Sequence, residues 1–310
     1  MQLDNLRSKD HLWRWYERAT VRKSPRRLLE IEADKLFFRP ELFPASQHRL
    51  LINVGEESVR RSLILHLFDY LFFTEELEHE VVNRVAAGLA KGRYPITMAK
   101  HMQLAAYKIY IDEGYHALFS ADVEDQIAAY TGITKEHTIR PAFLNILQQC
   151  QEAAGPQRKW LVDVFFSIIS ETLISGTLNK IPQDTRVVTV VRNIIADHAA
   201  DEAVHHVYFA GLLELIWPQL TAIQTSFIGP LLPHLIKAFL APDRTRIVMT
   251  LRSSGLSMAE AADVYEDCYP KAQVMESIKT ASAITLRYFR QCGALDQSQV
   301  ADAFGEAGFL

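Results

Sequence analysis

Only 13 glycines and 12 prolines interrupt the 310 residues, and the long intervals between them repeat apolar side chains at spacings of three and four. That period predicts helices nearly everywhere and leaves almost no strand signal. An irregular region around FFRPELFPASQHR ends near Ser58, and residues 58–90 then read as one long helix with Leu67, Leu71, Val81 and Val85 inward. After the loop KGRYP, helices are expected over 97–120, in one or two pieces within 124–152, from 154–156 to about 178, and from about 184 to 216. Further segments near 257–267 and 271–291 bend at Pro270. With no repeat and no low-complexity linker, the expectation is one all-α domain over 1–310. Its four-helix bundle lies within about 58–216, and helices over about 220–291 pack on it.

Composition removes several function classes. The formal net charge of -4 gives no general basic field for nucleic acid. The first thirty residues are locally basic (Arg7, Lys9, Arg14, Arg18, Arg22, Lys23, Arg26, Arg27), and with Trp13, Trp15 and Tyr16 they read as a solvated helix and linker that docks on the bundle. Cys150, Cys268 and Cys292 have no paired spacing, which argues against disulfides, zinc thiolates and iron–sulfur clusters. MQLDNLRSKD lacks a signal-peptide core, and no apolar run approaches the roughly 18 residues of a membrane span, so a cytoplasmic protein with no membrane partner is expected.

Against this plain background, DHAADEAVHH at 197–206 concentrates three histidines and three acids. On a helix, positions i, i+4 and i+7 fall within about 60° of one another, so His198, Glu202 and His205 share a face while Asp197, Asp201 and His206 lie off its centre. Two imidazoles and a carboxylate suit a borderline divalent metal. A second unit, DEGYH, places Glu113 and His116 three apart after Asp112 on another long helix. A carboxylate-bridged dimetal bundle uses two such Glu-x-x-His units and one glutamate from each of two other helices. WLVDVFFSIISETLISG supplies Glu171 on the face of Val164, Ile168 and Ile174, where an uncompensated carboxylate is costly. The first helix offers Glu75, Glu76, Glu78 and Glu80, with His79 beside them; Glu78 continues the line Leu67, Leu71, Thr74, Val81 and is the favoured choice.

Four carboxylates balance two divalent ions, so the cluster can be buried without net charge; four carboxylates on four helices favour iron, or less readily manganese, over zinc. Asp112 and Asp201 are candidates to orient the histidines, although each can equally be solvated. Arg287, Arg290 and Tyr288 read as a solvated face before a substrate-carboxylate site. His101, Tyr107 and Tyr110 are expected to pack or hydrogen-bond within the bundle.

Glu78, DEGYH, SETL and DHAADEAVHH together resemble the non-haem di-iron N-oxygenases related to p-aminobenzoate N-oxygenase, over about residues 50–215. His198 is the distinguishing match, because it adds a third histidine to the usual two. The resemblance implies a ferritin-like fold and two iron ions held by Glu78, Glu113, His116, Glu171, His198, Glu202 and His205. It implies O2 as co-substrate, a peroxo-di-iron(III) species that converts an amine to a hydroxylamine or on to nitroso and nitro, a place in natural-product biosynthesis, and a homodimer. The substrate would be a small amine or amino acid, free or carrier-protein-bound. With no dinucleotide motif and no cluster cysteines, electrons must come from a ferredoxin or reductase. The alternatives are another ferritin-like di-metal oxidase, such as a hydroxylase or desaturase, and a non-catalytic iron-binding helical protein.

Overall fold

A computed structural model describes residues 12–136, 138–174 and 180–310. Among these the chain is helical, and the only strand-like pairing is an isolated bridge between Leu36 and Val187. Helix α1 (Glu56–Leu77) runs into a single π turn (Glu78–Val82) and continues as α2 (Asn83–Ala90). The π turn is closed by Asn83 N–H on the Glu78 carbonyl, five residues back. Helix α3 (Lys100–Thr131) follows, then α4 (Ala142–Ala154), α5 (Lys159–Leu173) and α6 (Thr189–Ile216).

The α1–α2 unit packs on α3, α3 on α6, α6 on α5, and α5 on α2 and the π turn, which closes a four-helix ring. Around it lie α7 (Leu232–Leu240), α8 (Arg244–Ser253), α9 (Met258–Cys268), α10 (Lys271–Gln291) and α11 (Ser298–Glu306). Both α7 and α10 press on α5, and α8 on α1. Burial explains why α5 is central: Leu161, Val164, Phe165, Ile168 and Ile169 are all fully buried, so the helix is apolar nearly all round, as a helix packed on several sides must be. Buried apolar side chains from Leu12 to Phe304 form a single cluster.

Several boundaries differ from the sequence expectation. Residues 97–120 and 124–131 belong to one helix, because SADVEDQ contains no breaker; the helix ends where Gly132 turns left-handed at φ 69°. The helix expected from about 184 begins at Thr189, since residues 186–188 are engaged in pairing with Leu36. The helix expected to reach 178 is described only to Leu173, and its last residues lie outside the described ones.

The basic N-terminal segment docks on the bundle, as a strap fastened across α3 and α6 by ion pairs that the sequence reading did not foresee. Arg26 pairs with Asp122 of α3 at 2.6 Å and Arg27 with Asp197 of α6 at 2.9 Å. Glu32 accepts from the backbone N–H of Thr189 at 2.6 Å, an anion seated at the N-terminus of α6. Arg18, Arg22 and Lys23 do face solvent, while Arg7 and Lys9 lie outside the described residues. No helix among the described residues is long and apolar enough to cross a membrane.

Candidate metal centre

The seven residues singled out from sequence meet inside the ring, and all are buried. Glu78, Glu113, His116, Glu171, Glu202 and His205 have no exposed surface, and His198 has 2%. Two overlapping groups can each hold a metal ion: Glu78, His116, His198 and Glu202, and Glu113, Glu171, Glu202 and His205, with the ligand atoms of each group within 4.8 Å of one another. Glu202 belongs to both. Glu75, Glu76 and Glu80 do not enter either group, and neither does His79.

The two Glu-x-x-His units face each other. His116 Nδ1 lies 2.7 Å from Glu113 Oε2 and 3.5 Å from Glu202 Oε1. His205 Nδ1 lies 2.9 Å from Glu113 Oε1 and 3.2 Å from Glu202 Oε1. The outer nitrogens are held crosswise: His116 Nε2 meets Asp201 of α6 at 3.2 Å, and His205 Nε2 meets Asp112 of α3 at 3.2 Å. Each aspartate therefore orients the histidine of the opposite helix and holds a proton on its Nε2, so that Nδ1, once it gives up its own proton, would be the nitrogen that faces a metal ion. His198 approaches with Nε2, 3.3 Å from Glu202 and 3.6 Å from Glu78.

The strap completes this outer layer. The indole N–H of Trp15 donates to both oxygens of Asp112 at 2.8 Å. Thr20 donates its backbone N–H to Asp201 at 3.2 Å and its hydroxyl to the same carboxylate. Sequence reasoning missed both residues as parts of the site. They are 97 and 181 residues from their partners, and neither spacing nor periodicity links them.

The donor set fits cations. Both carboxylate oxygens of Glu78 and Glu171, Oε2 of Glu202 and Nε2 of His198 are buried without a hydrogen-bond partner. An ionised carboxylate so placed costs several kcal/mol unless a positive charge compensates it. Burial, reinforced by the neighbouring carboxylates, drives Glu171 well above the ordinary carboxyl range and pushes Glu78 up to about 8. Glu202 and Glu113 also feel burial, but His205 with His198 or His116 outweighs it and holds both below that range, Glu202 far below. His116 and His205 are raised well above 6.5 because the carboxylates overcome burial. Two carboxylates thus lean on imidazoles and two on protons, and divalent ions can replace those charges.

Other candidates lie elsewhere. His206 donates to or accepts from Tyr288 at 2.8 Å, outside the cluster. Arg287 and Arg290 are exposed, as expected. Tyr107 and Tyr110 are not packed inside the bundle: they are 37% and 47% exposed, on the outer face of α3, and His101 is half-buried.

A helical ring with four inward carboxylates and three inward imidazoles defines a carboxylate–histidine metal-centre bundle. The family model for p-aminobenzoate N-oxygenase AurF matches residues 23–293. The chain belongs to this family, and with it to the ferritin-like oxygenases of the di-iron type.

Proposed function

We propose that the chain N-oxygenates an amine at a pair of iron ions held by Glu78, Glu113, His116, Glu171, His198, Glu202 and His205. The observation that carries this reading is the burial, in one place, of four carboxylates on four helix segments together with three imidazoles. Such a pair of ions would supply the electrons and open coordination positions that activate dioxygen. Glu202 belongs to both metal-capable groups, and Glu113 turns its two oxygens to different histidines, so both would help hold the ions. Asp112 and Asp201 keep the Nε2 protons of His205 and His116 fixed. Tyr70, half-buried, is held protonated by desolvation and by the charges of Glu78 and Glu202, so it presents a hydroxyl and no charge.

The substrate enters through a cavity of about 330 Å3 whose lining includes Thr74, one turn before Glu78, and Ile174, three residues after Glu171. Iron rather than manganese, a cytoplasmic location, a ferredoxin or reductase as electron donor, and a homodimer complete the proposal.

Anaerobic titration with ferrous iron tests it. Two irons per chain, followed on exposure to oxygen by an amine product one oxygen atom heavier, is the expected result. Binding of fewer irons would defeat the dinuclear reading, and oxygen uptake without any oxidised amine would defeat the N-oxygenase one.

A further inference from the structure

Resting on the N-oxygenase reading, the cavity that reaches Thr74, one helical turn before Glu78, also bears on what the site accepts. His66, Tyr70 and Thr74 line it at intervals of four along α1, and Glu78 follows four residues later. The three lining positions span about 12 Å of helix axis at 1.5 Å per residue, longer than a single aminobenzoate ring. Phe73, Phe239 and Ile247 supply apolar wall.

The charged groups lining the cavity are Asp69, Asp243 and Arg246, one cation against two carboxylates. The cation is already committed. Arg246 is 5% exposed and donates from Nε and Nη2 to Asp69 Oδ1 at 3.2 and 2.9 Å, and from Nη2 to the Asp69 carbonyl. Asp69 also accepts from Thr250 at 2.8 Å. Asp243 caps α8, accepting from the N–H of Arg246, and accepts again from Ala142 at 2.8 Å. A substrate carboxylate would meet this excess of negative charge after losing its water, a loss that needs a free cation to offset it.

His66 is the opposite case. Its ring stacks on Phe43 at 4.0 Å and lies edge-on to Phe38 at 5.0 Å, and its Nδ1 is buried with no hydrogen-bond partner. Burial, with Arg246 nearby, holds the ring neutral by lowering its pKa to about 3. A neutral imidazole beside a cavity can give or take one hydrogen bond, and leaving it unmade is unfavourable.

We propose that this chain takes an elongated, uncharged amine: the body lies along α1 from Thr74 to His66, carries no carboxylate, and ends in a hydrogen-bonding group read by His66. Despite the family's name, p-aminobenzoate itself is then a poor ligand.

Calorimetric titration of the full-length, iron-loaded protein, kept anaerobic so that nothing turns over, tests the assignment. The probes are 4-amino-N-phenylbenzamide, long and neutral, p-aminobenzamide, short and neutral, and p-aminobenzoate. The long neutral probe should bind at least tenfold tighter than p-aminobenzoate, and His66→Leu should weaken it about fivefold or more, with His66→Asn restoring part of the loss. Asp69→Asn, which frees Arg246, should raise the affinity for p-aminobenzoate. Preference of the native protein for p-aminobenzoate, equal binding of the long and short neutral probes, no binding of any probe, or a folded His66→Leu variant that binds the long probe undiminished would each overturn the proposal. If p-aminobenzoate binds best and is N-oxygenated, the inference fails while the proposed function stands. If the neutral amine binds as expected and no amine is oxidised, the function fails while the cavity's selectivity stands.

Discussion

His198 differs from the other two imidazoles of the cluster in that neither Asp112 nor Asp201 supports it. Its Nε2 is buried and unpartnered, facing Glu202 and Glu78. Replacing it should remove a ligand from one ion and leave the other group, Glu113, Glu171, Glu202 and His205, whole. His198→Ala is therefore expected to bring the iron content from two towards one per chain while the helical circular dichroism stays unchanged. Retention of two irons with an unaltered optical spectrum would take His198 out of the ligand set. Glu78 gives a parallel test, in which Glu78→Ala lowers metal content and Glu75→Ala, Glu76→Ala and Glu80→Ala do not. The inward stripe Leu67, Leu71, Thr74 made Glu78 legible among four neighbouring acids. The π turn that starts at Glu78 was not legible, because nothing in EHEVV distinguishes a five-residue closure from a four-residue one.

Among the elements, the helices that carry ligands could be read from their own apolar period, whereas the strap over them could not. A helix face is a local pattern, but the strap is held by single polar contacts to α3 and α6 from far along the chain. Docking could be expected, but its anchor points could not, since the groups that neutralise Arg26 and Arg27 are Asp122 and Asp197 on other helices. If the strap orients the metal ligands through Asp112, then removing the Trp15 indole N–H leaves a buried carboxylate short of a donor. Trp15→Phe should destabilise the protein by about 1–3 kcal/mol and weaken metal binding about 10- to 100-fold. Chemical denaturation and competition with a metallochromic chelator measure the two effects. A stability loss with unaltered metal affinity would make Trp15 a packing residue only.

At the scale of the whole molecule, one feature of α3 bears on assembly. Leu104, Tyr107, Ile111 and Leu118 are 37–62% exposed and lie along one side of the helix, so a second copy of the chain can bury them. If the proposed homodimer uses this face, Ile111→Glu with Leu118→Glu should convert it to a monomer in sedimentation experiments; a dimer that survives both changes would place its interface elsewhere. A bound metal would couple to the fold over the entire bundle, because all four ring segments contribute side chains to one buried charge cluster. With a chelator present, Glu78 keeps its proton in the folded state up to about pH 8 and loses it near 4.5 when unfolded, and Glu171 is displaced in the same direction. His116 and His205 remain charged when folded at pH values where the unfolded chain has released their protons, above 6.5. Between pH 7.0 and 8.5 the folded state thus binds the more protons, and stability must fall as pH rises. The lowered groups do not reverse this: Glu113 and Glu202 give their full contribution above 4.5, and His66, held near 3, and His206, lowered by burial, are neutral in both states above the ordinary imidazole range. Divalent ions take the place of the protons and need the ligands deprotonated, so their binding strengthens as pH rises. Manganese(II), which is stable in air, allows the comparison without redox chemistry. The metal-free melting temperature is expected to drop by about 5 °C or more from pH 7.0 to 8.5, and the gap to the manganese-loaded protein to widen over the same range. A gap that stays constant or narrows would mean that the seven buried groups do not exchange protons for metal.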